Sequence, residues 1–144
     1  MKHFAMVLFL LFSWVLSGQE WKENYDIAIA QALDEDKPIV LVFAGSDWCA
    51  PCIKLDKNIW QSSEFASYAS EHYILYKADF PRKKINKLSK EKEEVNAKLA
   101  NTYNSKGYFP LVVILNEKGD VYGTTGYANI SPKEYISLLN TFIK

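Results

Sequence analysis

Residues 45–52 read GSDWCAPC and contain both cysteines of this 144-residue chain, Cys49 and Cys52. This spacing is compatible with a redox couple, half of a metal site or a structural disulfide. The structural disulfide is the weakest of the three, because the stabilisation from a disulfide grows with the length of the loop that it closes. Tetrahedral zinc needs four ligands, and His3 and His72 are the only histidines. The pair therefore favours redox chemistry, and we expect no bound metal.

The residues around the pair place it where a strand passes into a helix. Residues 39–44, IVLVFA, are continuously apolar and rich in β-branched side chains, which predicts a strand buried on both faces. Pro51 supports the site because it suits the first turn of a helix, where its missing N–H costs no hydrogen bond. The unpaired amides and the dipole of that helix are expected to stabilise the thiolate of Cys49, the predicted nucleophile. Cys52 follows one turn later, within reach for a disulfide.

The start of the chain has the pattern of a secretory signal peptide. A basic residue precedes a largely apolar run of 13 residues, Phe4–Leu16, which is shorter than the roughly 20 residues of a membrane span. We predict a signal peptide over residues 1–18, cleaved near Gly18, and a single domain over residues 19–144. An uncleaved anchor is the alternative. After cleavage the protein would be periplasmic or extracellular, where disulfides persist, with no stable membrane insertion.

The charge of the chain gives no sign of a polyanionic partner. It has 17 basic and 17 acidic residues, and loss of residues 1–18 removes only Lys2, which leaves 16 against 17. We therefore expect no nucleic-acid partner. One local run, Arg82–Glu94, contains six basic and three acidic side chains. We interpret it as a solvated surface rather than a partner site.

The apolar patterns elsewhere predict an α/β layer sandwich with the order α-β-α-β-α-β-β-α. The predicted strands are residues 39–44, 73–79, 111–115 and 120–125, the last two forming a hairpin. The predicted helices are Trp21–Glu35, a segment from Pro51 through Trp60, a segment capped by Ser62 or Ser63, a segment through Val95, Leu99 and Tyr103, and a helix beginning at Ser131-Pro132.

The motif Trp48-Cys49-Ala50-Pro51-Cys52 after an apolar strand resembles the active site of the thioredoxin superfamily of thiol–disulfide oxidoreductases. An independent second feature is Gly107-Tyr108-Phe109-Pro110, which leads directly into the third predicted strand. In the family, a proline at this point has a cis peptide bond and lies against the active-site sulfurs. The residue before it pairs with substrate through its backbone. The resemblance covers most of residues 21–144 and implies these roles for Pro110 and Phe109.

The resemblance implies a thioredoxin-like fold, with a central mixed sheet of four to five strands flanked by helices and an extra N-terminal helix. It implies a protein-disulfide reductase or isomerase without a cofactor, in which catalytic Cys49 and Cys52 alternate between dithiol and disulfide. Trp48 is expected to shield the site and, with Phe109 and Pro110, to contact substrate. The Ala-Pro pair between the cysteines is more similar to that of reducing members than to that of strong oxidants. The implied partners are proteins with disulfides or thiols and a membrane protein that donates electrons.

One departure from the family concerns the proton of Cys52. Thioredoxins bury a carboxylate beneath the second cysteine, in the strand before the motif, whereas residues 39–44 contain no acid. Asp47 is the nearest acid, and we expect it to support the site. Deprotonation of Cys52 is therefore expected to rely on water or on Asp47.

Other functions stay open at this point. One is a polypeptide-binding module or chaperone of the same fold, in which redox activity is incidental. Another is a redox-regulated metal chaperone, which predicts stoichiometric metal in the purified protein. A cysteine protease would need His72 as its base. His72 falls at the end of a predicted helix, where we expect a capping or surface role.

Overall fold

The structure is a computed structural model and describes residues 20–143. The signal peptide predicted over residues 1–18 lies outside the described residues. The helices are α1 Tyr25–Glu35, α2 Ala50–Leu55, α3 Ser63–His72, α4 Lys90–Tyr103 and α5 Pro132–Asn140, and the strands are β1 Ile39–Ala44, β2 Ile74–Asp79, β3 Leu111–Leu115 and β4 Val121–Thr125. A π-helical turn, Asp56–Trp60, prolongs α2, and a 3₁₀ turn spans Lys84–Asn86. Within residues 20–143 no helix combines the length and the apolar character that a membrane crossing requires.

The strands form one mixed sheet in the order β2-β1-β3-β4. β1 and β2 run parallel, β3 is antiparallel to β1, and β4 pairs antiparallel with β3 as the predicted hairpin. A single bridge between Trp21 and Leu75 extends the β2 edge. The described part of the chain thus has four strands, at the lower end of the four to five that were predicted. The thioredoxin-like architecture is confirmed.

Side chains of the central strand β1 alternate between two hydrophobic layers. Val40, Val42 and Ala44 face the layer that contains α2, α3 and α5. Their neighbours in β1 face the layer that contains α1 and α4. Every residue of β1 is buried, because helices cover both faces of the sheet. This packing explains why residues 39–44 show no polar alternation.

The first helix begins later than the sequence predicted. It starts at Tyr25 rather than at Trp21, because the Asn24 side chain caps it by accepting the N–H of Asp26 at 2.7 Å. Before the cap, Trp21 forms a bridge with Leu75 of β2. Other boundaries follow the local signals closely. Ser62 is the cap of α3, and Ser131 and Glu134 form a capping box at the start of α5.

Candidate active site

The loop between β1 and α2 is fixed by short-range and long-range hydrogen bonds. The carbonyl of Gly45 accepts the N–H of Trp48 at 3.2 Å and the N–H of Cys49 at 2.9 Å. The carboxylate of Asp79, at the end of β2, accepts the N–H of Ser46 at 2.9 Å and also its hydroxyl. A Cβ atom at Gly45 would overlap the indole ring of Trp48. A glycine is therefore needed for the close approach of Trp48.

Cys49 and Cys52 are joined by a disulfide, with their Cα atoms 5.2 Å apart. Cys49 is the N-cap of α2, and its sulfur accepts the N–H of Cys52 at 3.3 Å. Pro51 lies in the first turn of the helix, as the sequence predicted. A sulfur at a helix N-cap that accepts a backbone N–H is well placed to hold negative charge once the disulfide is reduced.

Aromatic side chains pack beside the cysteine loop. The Trp48 indole N–H donates to the carbonyl of Phe80 at 2.7 Å. The ring of Phe109 meets both Trp48 and Phe80 edge to face, with centroids 5.4 Å and 5.5 Å away. The guanidinium carbon of Arg82 lies 3.7 Å above the centroid of the Trp48 ring. Trp48 and Phe109, which were predicted to contact substrate, are thus brought together.

Pro110 lies at the same end of the sheet as the cysteine pair. Its peptide bond with Phe109 is cis. Because Phe43 is opposite Leu111 in the β1–β3 register, Pro110 reaches the end of β1 from which the cysteine loop departs. Pro110 and Cys52 line the same cavity.

A buried asparagine positions the segment that leads to Pro110. The amide of Asn104, which is 5% exposed, donates to the carbonyl of Tyr108 at 2.8 Å and accepts the Tyr108 N–H at 2.9 Å. Gly107 has a φ of 70°, a conformation that glycine adopts easily. Sequence reasoning missed Asn104, although an asparagine just before Ser-Lys-Gly is a turn signal.

The Asp47 carboxylate accepts hydrogen bonds from the segment that follows β2. It accepts the N–H groups of Arg82 at 2.9 Å and Lys83 at 3.0 Å, and the side-chain amide of Asn86 at 3.0 Å. These hydrogen bonds, that of Arg82 foremost, lower the pKa of Asp47 to about 2. A carboxylate that strongly prefers its charged form is a poor proton acceptor at neutral pH. The contacts of Asp47 therefore favour a structural role over the proton transfer expected from the sequence.

A different carboxylate lies near Cys52. The cavity lined by Cys52 has a volume of about 120 Å³, and Asp56 and Lys77 also line it. These two side chains form an ion pair with an N–O distance of 2.9 Å. Asp56 follows Cys52 by one helical turn, and its N–H donates to the Cys52 carbonyl. Sequence reasoning did not assign Asp56 to the site, although its four-residue spacing from Cys52 is the signal that could have done so.

The only histidine among the described residues lies away from the cysteines. His72 ends α3 and stacks on Tyr68, with ring centroids 4.1 Å apart. It precedes β2, at the opposite end of that strand from Asp79, which contacts the cysteine loop. Six residues of strand separate these ends by about 20 Å. No group of three or more potential metal ligands occurs within residues 20–143.

The fold and the cysteine site define a thioredoxin-like protein, and the chain belongs to that family: the thioredoxin-like family model matches residues 20–117. Disulfide bond reductase DsbH of Chlamydia pneumoniae is 34% identical over 125 residues, which cover 87% of this chain and 73% of that protein. A solved structure described as DsbH oxidoreductase is 32% identical, with a TM-score of 0.81 over 88% of this chain and 85% of that one. A disulphide isomerase from Xylella fastidiosa Temecula1, 22% identical, shares the fold with a TM-score of 0.61 over 83% of this chain and 88% of its own. With these similarities and its cysteine pair, the chain is a thiol–disulfide oxidoreductase.

Proposed function

We propose that this oxidoreductase acts outside the cytoplasm, after removal of residues 1–18, and chiefly reduces protein disulfides. The observation that carries the proposal is the position of Cys49 at the N-cap of α2, where its sulfur accepts a hydrogen bond from the N–H of Cys52. The signal-peptide pattern supports export. The reductase named among the similar proteins supports the direction of electron flow.

The proposed reaction has two exchange steps. The Cys49 thiolate attacks one sulfur of a substrate disulfide; a bond from Cys49 to substrate forms, and the other substrate sulfur leaves as a thiolate. The Cys52 thiolate then attacks the sulfur of Cys49, which closes the intramolecular disulfide and releases the second substrate thiolate. Two electrons pass to the substrate, and the two protons lost by the cysteines end on its thiols.

The surface beside the cysteines is suited to an extended polypeptide. Trp48 and Phe109 form an aromatic wall, and Pro110 lies at the end of β1. A substrate would lie across these side chains and pair with the backbone of Phe109. Its cysteine would then face the sulfur of Cys49.

Turnover requires the pair to be reduced again after each cycle. An exported protein has no access to cytoplasmic reductants, so a membrane protein carrying a reduced dithiol is the proposed donor. That donor would attack the Cys49–Cys52 disulfide by the same exchange chemistry.

The equilibrium between the Cys49–Cys52 dithiol and disulfide tests the direction of electron flow. Measured against a graded series of reduced and oxidised glutathione, the pair should have a potential of about −230 mV or lower, in the range of reducing members of this class. The dithiol form should also reduce a soluble protein disulfide, with the Cys49→Ala/Cys52→Ala variant as the inactive control. A potential near −120 mV, typical of strong oxidants, would contradict the proposed direction.

We also propose that Asp56 accepts the proton of Cys52 in the second step. It lines the cavity next to Cys52, and the ion pair with Lys77 holds its carboxylate there. The cavity has room for water that would carry the proton between them. Asp47 accepts three hydrogen bonds from residues 82–86, whereas Asp56 accepts two, from Lys77 and from the side-chain amide of Gln61.

Replacing Asp56 by asparagine should slow the second step about tenfold or more at neutral pH and leave the first step unchanged. The amide cannot take a proton, so Cys52 would depend on bulk water. Rapid mixing with acid quenching would follow formation and resolution of the mixed disulfide with substrate. The defect should shrink at alkaline pH, where hydroxide deprotonates Cys52 directly.

Asp47→Asn is the matched control, and it should resolve the mixed disulfide at the wild-type rate. Slowing confined to Asp47→Asn would reassign the proton acceptor to Asp47. Equal rates for Asp56→Asn and the wild type at every pH would leave water as the acceptor.

A further inference from the structure

A strongly basic segment borders the thiol site. Residues 82–89, RKKINKLS, contain four basic side chains and no acidic one, and we call them the basic loop. The whole chain has equal numbers of basic and acidic residues, so this charge is a local excess. Residues 82–87 are exposed, and the apolar side chain of Ile85 is 90% exposed.

The structure connects the basic loop to the aromatic wall beside the cysteines. Asp47, which precedes Trp48 in the sequence, accepts backbone N–H groups at the start of the loop. Arg82 stacks on Trp48 of the aromatic wall, with its guanidinium carbon 3.7 Å from the ring centroid. Residues 82–86 are therefore held next to the aromatic wall.

The cations of the basic loop are not neutralised by ion pairs. Across residues 20–143, none of Arg82, Lys83, Lys84 and Lys87 lies within ion-pair distance of a carboxylate. Asp47 binds the backbone of the loop and contributes a single negative charge at its base. A surface with several uncompensated cations and an exposed isoleucine can attract and hold an acidic ligand.

In place of the solvated surface expected from the sequence, we propose that the basic loop binds acidic side chains that flank the reactive cysteine of a partner polypeptide, with Ile85 contacting an apolar residue among them. This deepens the proposed function and rests on it, because the cysteine site determines where the polypeptide lies. Extended residues advance about 3.3 Å each. Side chains a few positions from a cysteine at Cys49 would thus reach past Trp48 to Arg82 and the lysines. The adjoining cysteine pair and aromatic wall favour a polypeptide over an anionic lipid surface.

Two synthetic peptides test the proposal. Each carries one cysteine in a mixed disulfide with 2-mercaptoethanol. The peptides differ only at three positions that flank the cysteine, which are glutamate in one peptide and glutamine in the other. Reduced wild-type protein should reduce the disulfide of the acidic peptide about tenfold faster than that of the glutamine peptide at low ionic strength. The preference should fall as salt shortens the Debye length to about 10 Å at 0.1 M. Serine versions of both peptides, labelled for fluorescence anisotropy, measure affinity for the oxidised protein without any redox step.

Matched lysine variants test whether the preference for the acidic peptide depends on the basic loop. Lys84→Gln/Lys87→Gln should lose most of the preference in both rate and affinity. Lys98→Gln/Lys118→Gln removes the same charge from α4 and from the β3–β4 turn, and should keep the preference.

The outcomes separate this proposal from the proposed function. If both peptides are reduced at equal rates and bind equally, the docking role is wrong and the reductase stands. If the acidic peptide binds preferentially but neither is reduced, the loop binds as proposed and the reductase function is wrong. Absence of any peptide preference, with loop-dependent binding to phosphatidylglycerol vesicles, would replace the polypeptide by a lipid surface.

Discussion

Cys49→Ala should lower the rate of protein-disulfide reduction about a thousandfold or more, whereas Cys52→Ala should accumulate stable mixed disulfides through Cys49. The two variants should differ because the two cysteines occupy different positions relative to α2. Cys49 is the N-cap residue whose sulfur accepts a backbone N–H, so it is the sulfur prepared to carry negative charge. Cys52 follows one turn later and, in the proposed reaction, acts only after a mixed disulfide has formed. Without it, the first covalent complex cannot resolve within the protein.

Non-reducing gel electrophoresis of each variant, expressed in its native compartment and quenched with acid, measures this difference. A turnover assay with a soluble protein disulfide gives the rates. Reversed behaviour, with complexes captured by Cys49→Ala, would exchange the roles of the two cysteines. Unchanged capture of partners by the Cys49→Ala/Cys52→Ala variant would favour a polypeptide-binding module with incidental redox activity.

Trp60→Ala should lower the free energy of unfolding by about 3–5 kcal/mol, a large part of the 5–15 kcal/mol typical of a domain. Trp60 is 1% exposed at the end of the π-helical turn that follows α2. Its ring contacts Phe65, Tyr135 and Trp21, with centroids 4.7, 5.4 and 5.9 Å away. Truncation of Trp60 would leave a cavity between these three side chains and the sheet.

Equilibrium denaturation of the oxidised protein measures the loss for Trp60→Ala. Leu33→Ala is the control, because Leu33 is 63% exposed on α1 and its truncation should change stability by less than about 1 kcal/mol. A loss below about 1 kcal/mol for Trp60→Ala would show that the surrounding side chains collapse into the space. A large loss for Leu33→Ala would show that the exposed face of α1 is buried in solution.

The buried central strand could be predicted from sequence because its signal is local. Residues 39–44 are uninterrupted by any polar side chain, and β1 has those bounds in the structure. Ser131 followed by Pro132 predicted the start of α5 for the same reason, since a cap acts within one turn. The start of α1 was predicted too early because the apolar pattern extends toward the N-terminus beyond the N-cap, as far as Trp21. Trp21 is apolar because it packs against Trp60, not because it belongs to the helix.

The sequence by itself determined the redox couple, the helix that begins at it and the strand before it, since these depend on residues within a few positions of each other. Tertiary structure alone decided which partners the carboxylates near the couple have. Asp47 binds residues 82–86, and Asp56 meets Lys77 from the neighbouring strand. Each contact joins segments far apart in the chain, and their proximity arises only when helices and strands pack on both faces of the sheet. Local periodicity and capping carry no information about such distances, so the partners of a carboxylate become known only in the folded protein.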